Sequence, residues 1–349
     1  MKICIIGSGM MGSALAFPAR ENGNEVVLVG TPLDREIIFE CRKTNQHLKF
    51  DRVFPQGIEY YQFEEWKQAV VGADFIICGV SSFGVDWFLE NVLVEKECSV
   101  PVLSVTKGLV DLSDGTLISY PEYWERKLAE RNISREICAI GGPCTSYELV
   151  YHDQTEVAFC GKNKKTLEMM KKALATSYYH ISLTNDVVGL ESAVALKNGY
   201  ALGIALTIGL CERENGVDCG LHYNSQAGAF YQATREMKKL LQMQGATENC
   251  ECIGFGDLYV TVYGGRTRKI GILLGRGISY DDAVAMLNGV TLESLVVAKR
   301  VARAIKIRAS RGEVQLKDFP LLMHVDGVIC EGKDAQLPWE SFTFEDIME

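Results

Sequence analysis

Short apolar, β-branched runs alternate with amphipathic stretches through the first half of the chain. The runs at 2–6, 25–29, 75–80, 101–105, 137–140 and 156–160 predict strands. Between them, stretches at 11–22, 33–43, 63–71, 87–93 and 121–130 carry helical spacing. The strand runs are apolar throughout rather than alternating. Such strands are buried on both faces, as in a parallel sheet with helices on either side. From about residue 186 the strand pattern stops, and helical patterns follow at 189–214, 224–243, 267–276, 280–288 and 292–306. The change places a boundary near 183–186, giving an α/β domain over residues 1–185 and an all-helical domain over 186–349. No repeat or low-complexity linker separates them. The polar and aromatic residues from about Gly332 onward fit either a docked or a frayed tail.

A length of 349 residues suits two domains, and 47% hydrophobic residues supply a sizeable core. The formal charge of -9, with both signs mixed along the chain, argues against a nucleic-acid surface. It leaves room for a local basic pocket that takes a small anion. The 12 cysteines are scattered, and Cys4, Cys78 and Cys138 lie inside apolar runs. The close pair Cys250 and Cys252 has no neighbouring His or Cys partner, and no zinc spacing is present. Reduced thiols in a cytoplasmic protein follow. The apolar run that ends at Ile6 is too short for a signal-peptide core, and the stretch 199–211 is about half of a membrane span. The expectation is a soluble chain without a membrane span, nucleic-acid partner or metal.

Chemistry enters at Gly7-Ser8-Gly9-Met10-Met11-Gly12, directly after the first strand and at the start of the first helix. Gly7 permits a tight turn, Gly9 lets a pyrophosphate approach the backbone, and Gly12 lets helix pack closely on strand. Free N–H groups and the helix dipole favour an anion there. This context makes the first domain a Rossmann-type, doubly wound dinucleotide-binding fold, with NAD or NADP as cofactor. No acid ends the second strand, where an NAD-type fold often carries one to bind ribose hydroxyls; Asp34 and Arg35 come slightly later. Arg35 fits a 2′-phosphate partner or a solvated charge equally well. Phe83 follows the buried run 75–80 at the carboxyl edge of the sheet, a position for cofactor contact or for simple core packing.

Three further segments carry reactive groups. Lys107 ends the run 101–105 on the same edge of the sheet. Lys197 and Asn198 sit in a helix of Val194, Ala195, Leu196, Tyr200, Ala201 and Leu202. A Lys in such surroundings is costly to bury unless paired or functional, and burial suits it to proton transfer near neutral pH. Its alternative is a snorkelling side chain with its head in water. The third segment, 254–268, places Asp257 in a glycine-flanked turn, where it orients Lys197 or caps a helix. Thr261 lies four residues on, and Arg266 follows two glycines before a helix, a good site for phosphate.

The stretches GSGMMGSALA (7–16), SVTKGL (104–109), IGGPC (140–144), VGLESAVALKNGYA (188–201) and GFGDLYVTVYGGRTRK (254–269) together resemble the NAD(P)-dependent glycerol-3-phosphate dehydrogenase family. Order and spacing match from the N-terminus to about residue 310. The resemblance implies a Rossmann domain followed by a helical one, a homodimer, and reversible reduction of dihydroxyacetone phosphate at its keto carbon. It implies that Lys197 is the general acid and base, and that Lys107 stabilises charge on the substrate oxygen. Asn198, Asp257 and Thr261 position the substrate, and Arg266 holds its phosphate with Thr267 at the same end. Lys107, Arg266 and Glu293 also serve the cofactor. The chain departs from the family pattern at Thr267, where Asn is common, and at Ser81, where Pro is common. It departs also after the second strand, around Leu292-Glu293-Ser294, and beyond about 310. These positions bear on substrate and coenzyme rather than on reaction class. Related ketopantoate and β-hydroxyacid dehydrogenases, a dehydrogenase for a longer polyol phosphate, and a non-catalytic NAD(P)H sensor are the competing readings.

Overall fold

The computed structural model describes residues 1–95, 99–217, 219–220, 222–247, 249–287 and 292–342. The chain divides into two compact units. One is Met1–Lys107 with Ser119–Glu191, and the other is Gly108–Ile118 with Ser192–Glu349.

The first unit is built on strands β1 (Lys2–Ile6), β2 (Glu25–Val29), β3 (Ile58–Tyr61), β4 (Phe75–Cys78) and β5 (Val102–Ser104). After a two-stranded ribbon, β6 (Leu109–Asp111) with β7 (Leu117–Ser119), come β8 (Ile137–Gly141), β9 (Thr155–Cys160) and β10 (Tyr179–Thr184). The sheet order is β10-β9-β8-β5-β4-β1-β2-β3. From β3 to β8 all neighbours are parallel, with Ile3 opposite Val26 on one side and Phe75 on the other. This is the doubly wound arrangement expected from continuous apolar strands. It differs from a fully parallel sheet at one edge: β9 runs antiparallel to β8, and β10 is parallel to β9.

The connecting helices are α1 (Met10–Glu21), α2 (Arg35–Thr44), α3 (Trp66–Ala69), α4 (Val85–Phe88), α5 (Tyr120–Ala129), α6 (Ser146–Val150) and α7 (Lys164–Leu174). Local signals set their starts. Ser119 and Glu122 form a reciprocal capping box on α5, with Pro121 in its first turn. Asn163 caps α7 through the Lys165 N–H. The expected helices at 63–71 and 87–93 are broken. A 3₁₀ turn (Phe63–Glu65) precedes α3, and a wider π turn (Leu89–Leu93) follows α4. Ala14, Leu15 and Phe17 of α1 pack with Ile3, Ile5, Val26 and Phe75 in one buried core.

The second unit holds α9 (Tyr223–Met243), α10 (Asn249–Tyr263), α11 (Gly265–Gly275), α12 (Tyr280–Met286), α13 (Glu293–Ser310) and α14 (Pro320–Glu331). It also takes most of α8 (Val187–Asn215), from Ser192 on. By length and composition α8 is apolar enough to cross a membrane, but 89% of that window is buried inside the protein. It is therefore the core helix of this unit. Small residues let α11 press against it: a Cβ on Gly271 would lie 2.4 Å from the Ala205 side chain, and one on Gly275 equally close to the Leu206 carbonyl. The ribbon is tied to α13, where Arg300 donates to the Leu109 carbonyl oxygen at 2.7 Å and Arg303 pairs with Asp111. Ala335, Leu337 and Phe342 are buried in the same core, so the tail is docked as far as it is described. Its last residues, 343–349, and Asn288 at the end of the expected helix 280–288, lie outside the described residues.

Candidate active site

In the first unit, β1 stops at Ile6 and the chain turns through Gly7 at φ 106°. A Cβ on Gly7 would meet the Gly79 carbonyl carbon at 2.6 Å, and one on Gly12 would lie 2.1 Å from the Gly7 oxygen. These two glycines are demanded by the protein's own packing. Gly9 differs: the nearest atom to a Cβ there is the Gly79 oxygen, at 3.9 Å. Among the described residues nothing requires glycine at residue 9, so the open space above it fits an external group. The Ser8 hydroxyl is buried and has no hydrogen-bond partner among the described residues, a second feature that fits an external group. Met10 and Met11 open α1 and are half-buried. The loop thus fits a dinucleotide.

The loop is braced by residues that the sequence reading did not assign to it. Asp34 Oδ2 accepts from the Ser8 N–H at 3.2 Å, and from the Thr31 N–H and hydroxyl at 2.8 Å each. His47 is buried. Its Nε2 donates to the Ser8 carbonyl oxygen at 3.1 Å, and its Nδ1 accepts from the Lys49 N–H at 3.1 Å. Burial pushes the His47 pKa down, so the ring is neutral at pH 7. Gly79, just after β4, supplies the backbone on which Gly7 and Gly12 close. Its only sequence signal is a glycine at the end of a buried strand. Arg35, expected either to meet a 2′-phosphate or to stay solvated, is ion-paired with Glu64, both side chains 57% exposed. Phe83 lies in a 3₁₀ turn after β4 and is 59% exposed.

Lys107 is half-buried and its Nζ donates to the Gly142 carbonyl oxygen at 3.3 Å. Its charge also acts on Glu191, which is completely buried with no hydrogen-bond partner among the described residues at either carboxyl oxygen. Burial pushes Glu191 up to about 8, against the pull of Lys107. Glu191 lies within the stretch 188–201 but received no role from sequence. A single Glu in an apolar helix is its only signal.

In the second unit, Lys197 and Asp257 form an ion pair, 9% and 0% exposed. Asp257 does not occupy the turn expected for it. It lies inside α10, because residues 249–263 form a continuous helix despite Gly254 and Gly256. Gly254 is needed there, since a Cβ would lie 2.7 Å from that of Ala193 on α8. The close approach brings α10 against α8, which carries Lys197. Thr261, one turn beyond Asp257, donates its hydroxyl to the Asp257 carbonyl oxygen at 2.7 Å. Asn198 follows Lys197 and is half-buried.

Residues Arg266 and Thr267 are in the first turn of α11, whose N-cap residue, Gly264, has no side chain to offer the first N–H groups. Arg266 is exposed and Thr267 is 9% exposed. A guanidinium beside an uncapped helix start suits a phosphate. Glu293 opens α13 and is half-buried.

The comparisons with known proteins agree along nearly the whole length. Residues 2–167 match the family model for the N-terminus of NAD-dependent glycerol-3-phosphate dehydrogenase, and 186–339 match that for its C-terminus. The NADP(+)-dependent glycerol-3-phosphate dehydrogenase of Archaeoglobus fulgidus is 32% identical over 99% of this chain and 100% of its own. A Leuconostoc citreum glycerol-3-phosphate dehydrogenase [NAD(P)+] is 28% identical over 84% and 86%. The crystal structure of glycerol-3-phosphate dehydrogenase from Coxiella burnetii shares the fold, with a TM-score of 0.79 at 21% identity and 96% coverage of both chains. With both halves matched and that relative similar from end to end, the chain belongs to the NAD-dependent glycerol-3-phosphate dehydrogenase family.

Proposed function

We propose that this chain reversibly reduces the C2 keto group of dihydroxyacetone phosphate with NAD(P)H, giving sn-glycerol-3-phosphate. The observation that carries the reading is the buried Lys197–Asp257 pair, a charged couple built into an otherwise apolar helix contact. A structural salt bridge in such a place gives little net stability, so its cost points to chemistry.

The cofactor is held by the loop of Gly7, Ser8, Gly9, Met10, Met11 and Gly12, with Phe83 and Glu293 as further contacts. When bound, it supplies or accepts the hydride. The protein's residues do the rest. Lys197 gives a proton to the carbonyl oxygen as it becomes the C2 hydroxyl in reduction, and takes it back in oxidation. Asp257 aims the ammonium through their ion pair. Lys107 offsets negative charge on the reacting oxygen, a role worth several kcal/mol where water is excluded. Asn198 and Thr261 position the hydroxyl end, and Arg266 with Thr267 and the α11 N–H groups hold the phosphate.

We assign the protein to the cytoplasm as a homodimer. No disulfide joins the described cysteines, in support of a reducing compartment; the dimer rests on the family resemblance. Coenzyme choice lies between opposing groups. Asp34 brings negative charge to the loop, and Arg35 brings a positive charge already shared with Glu64.

The test is cofactor oxidation by the purified protein with dihydroxyacetone phosphate, NADH and NADPH being run in parallel. Rapid oxidation with at least one coenzyme is expected. Tight NAD(P)H binding without turnover on this ketone or on longer phosphorylated ketoses would replace the enzyme reading with that of a sensor.

A further inference from the structure

Helix α8 ends at Asn215 and α9 begins at Tyr223. Cys211 lies in the last turns of α8, Cys219 lies in the loop, and His222 is the residue before α9. Between the two helices Gly216 and Gly220 both lie at φ 89°, a left-handed conformation that glycine adopts without strain. The spacing, Cys-x7-Cys-x2-His, matches no common zinc pattern, so the sequence reading found no metal ligands there. The fold brings them together. The two Sγ atoms are 3.2 Å apart, and the ligand atoms of all three residues lie within 4.8 Å of one another.

Two chemistries take a close cysteine pair. A disulfide needs an S–S distance of about 2.05 Å and has no use for a histidine. Two thiolates on a tetrahedral zinc, each about 2.3 Å from the metal, are about 3.8 Å apart, and an imidazole nitrogen completes such a set. The convergence of His222 favours the second. Asn215 Nδ2 also faces the Cys211 sulfur at 3.8 Å, the kind of N–H contact that steadies a thiolate ligand. Cys211 and His222 also line a cavity of about 140 Å³ together with Glu214 and Ser225, with room for a carboxylate or a water as a further ligand. Cys211 and Cys219 are half-buried and His222 is exposed, so an ion in solution reaches them.

We propose that Cys211, Cys219 and His222 bind a thiophilic divalent cation of the zinc type. Two thiolates neutralise the cation, and the ion ties the end of α8 to the start of α9. The site is structural. Along α8, Cys211 lies about 21 Å from Lys197 at the helical rise of about 1.5 Å per residue, so the ion has no part in proton transfer. The proposal stands apart from the reading of the active site.

The test uses the full chain, reduced, stripped with a chelator and titrated with Co²⁺. One equivalent is expected to bind, with thiolate-to-cobalt charge-transfer absorption and the strong visible bands of four-coordinate cobalt, and Zn²⁺ should displace it. Cys219→Ser should remove about half of the charge-transfer intensity, and His222→Ala should weaken Co²⁺ binding at least tenfold, on the order of the losses seen when a site is perturbed. Both variants should still bind NAD(P)H, which checks that they fold. Three results overturn the proposal: no saturable Co²⁺ binding by the reduced protein, a spectrum unchanged in both variants, or a Cys211–Cys219 disulfide in peptide maps of protein that binds no metal once reduced.

Discussion

Lys197 and Asp257 are each costly alone and tolerable together, and that coupling separates their structural role from their chemical one. Removing either partner breaks a buried ion pair, which costs about 3–5 kcal/mol. Lys197→Met and Asp257→Leu should each lower stability in denaturant melts, whereas the double variant should recover much of the loss. Turnover should not recover. Loss of a positioned proton donor costs about 10²–10⁴ in rate, so the double variant should be as inactive as Lys197→Met. A double variant with near-native kcat would end the acid–base role of Lys197. Arg266 is different because it is exposed and lies outside the core. Arg266→Ala should melt within about 0.5 kcal/mol of the parent. Its KM for dihydroxyacetone phosphate should rise at least tenfold, with little change for a dephosphorylated ketone. Equal losses on both substrates would take the phosphate away from Arg266.

The glycine loop makes a sharper prediction at the level of the element, since its glycines are there for different reasons. A Cβ at Gly12 collides with the Gly7 backbone at 2.1 Å, so Gly12→Ala must push α1 away from β1. It should destabilise the first unit by roughly 1–3 kcal/mol, as overpacking does. At Gly9 a Cβ finds only ordinary contact at 3.9 Å. Gly9→Ala should fold like the parent and bind NADH at least tenfold more weakly in a fluorescence titration. If Gly9→Ala binds NADH normally, the open space above Gly9 is not the pyrophosphate site.

The same distinction explains what was legible in the sequence. β1, β2, β4, β5 and β8 lie inside the sheet and carry continuous apolar runs, so the pattern of residues alone locates them. β3 and β10 are the two edge strands. Their sequences, Ile-Glu-Tyr-Tyr and Tyr-His-Ile-Ser-Leu-Thr, mix polar and apolar residues because part of each is exposed, and they went unread. α10 was hidden by Gly254 and Gly256, which read as a turn. Gly254 is instead the contact that lets two helices touch, a tertiary reason that no local propensity reveals. Motif residues such as Lys197, Asp257 and Arg266 were legible because their chemistry is unusual for their surroundings. Asp34, His47 and Gly79 were not, because they act on the glycine loop from 26 to 72 residues away and carry no local oddity.

On the scale of the whole molecule, acidity and stability are linked through two buried carboxyls, one in each unit. Burial pushes Glu191 up to about 8 and Glu236 up to about 7, from an ordinary value of 4.5. Glu236 accepts from the Leu321 and Leu322 N–H groups and from Gln232, which favours its charged form, but burial outweighs them. Both folded-state pKa values lie above the unfolded one, so the folded chain holds protons that the unfolded chain releases. Stability is therefore fullest below about pH 4.5 as far as these groups decide it, and falls as pH rises through 7 and 8. The neutral isostere Glu191→Gln removes one of the two contributions. Its advantage over the parent should be larger at pH 8.5 than at pH 6, by on the order of 2 kcal/mol at about 1.4 kcal/mol per pKa unit. Urea melts at the two pH values measure it. Lys107 limits the gain, because the variant also loses the attraction between that ammonium and an ionised Glu191. A gain that is the same at both pH values would mean that Glu191 is not the proton-holding group. A loss that appears only at pH 8.5 would mean that the Glu191 carboxylate is ionised and paired with Lys107 in the folded chain, and that their ion pair holds the first unit together.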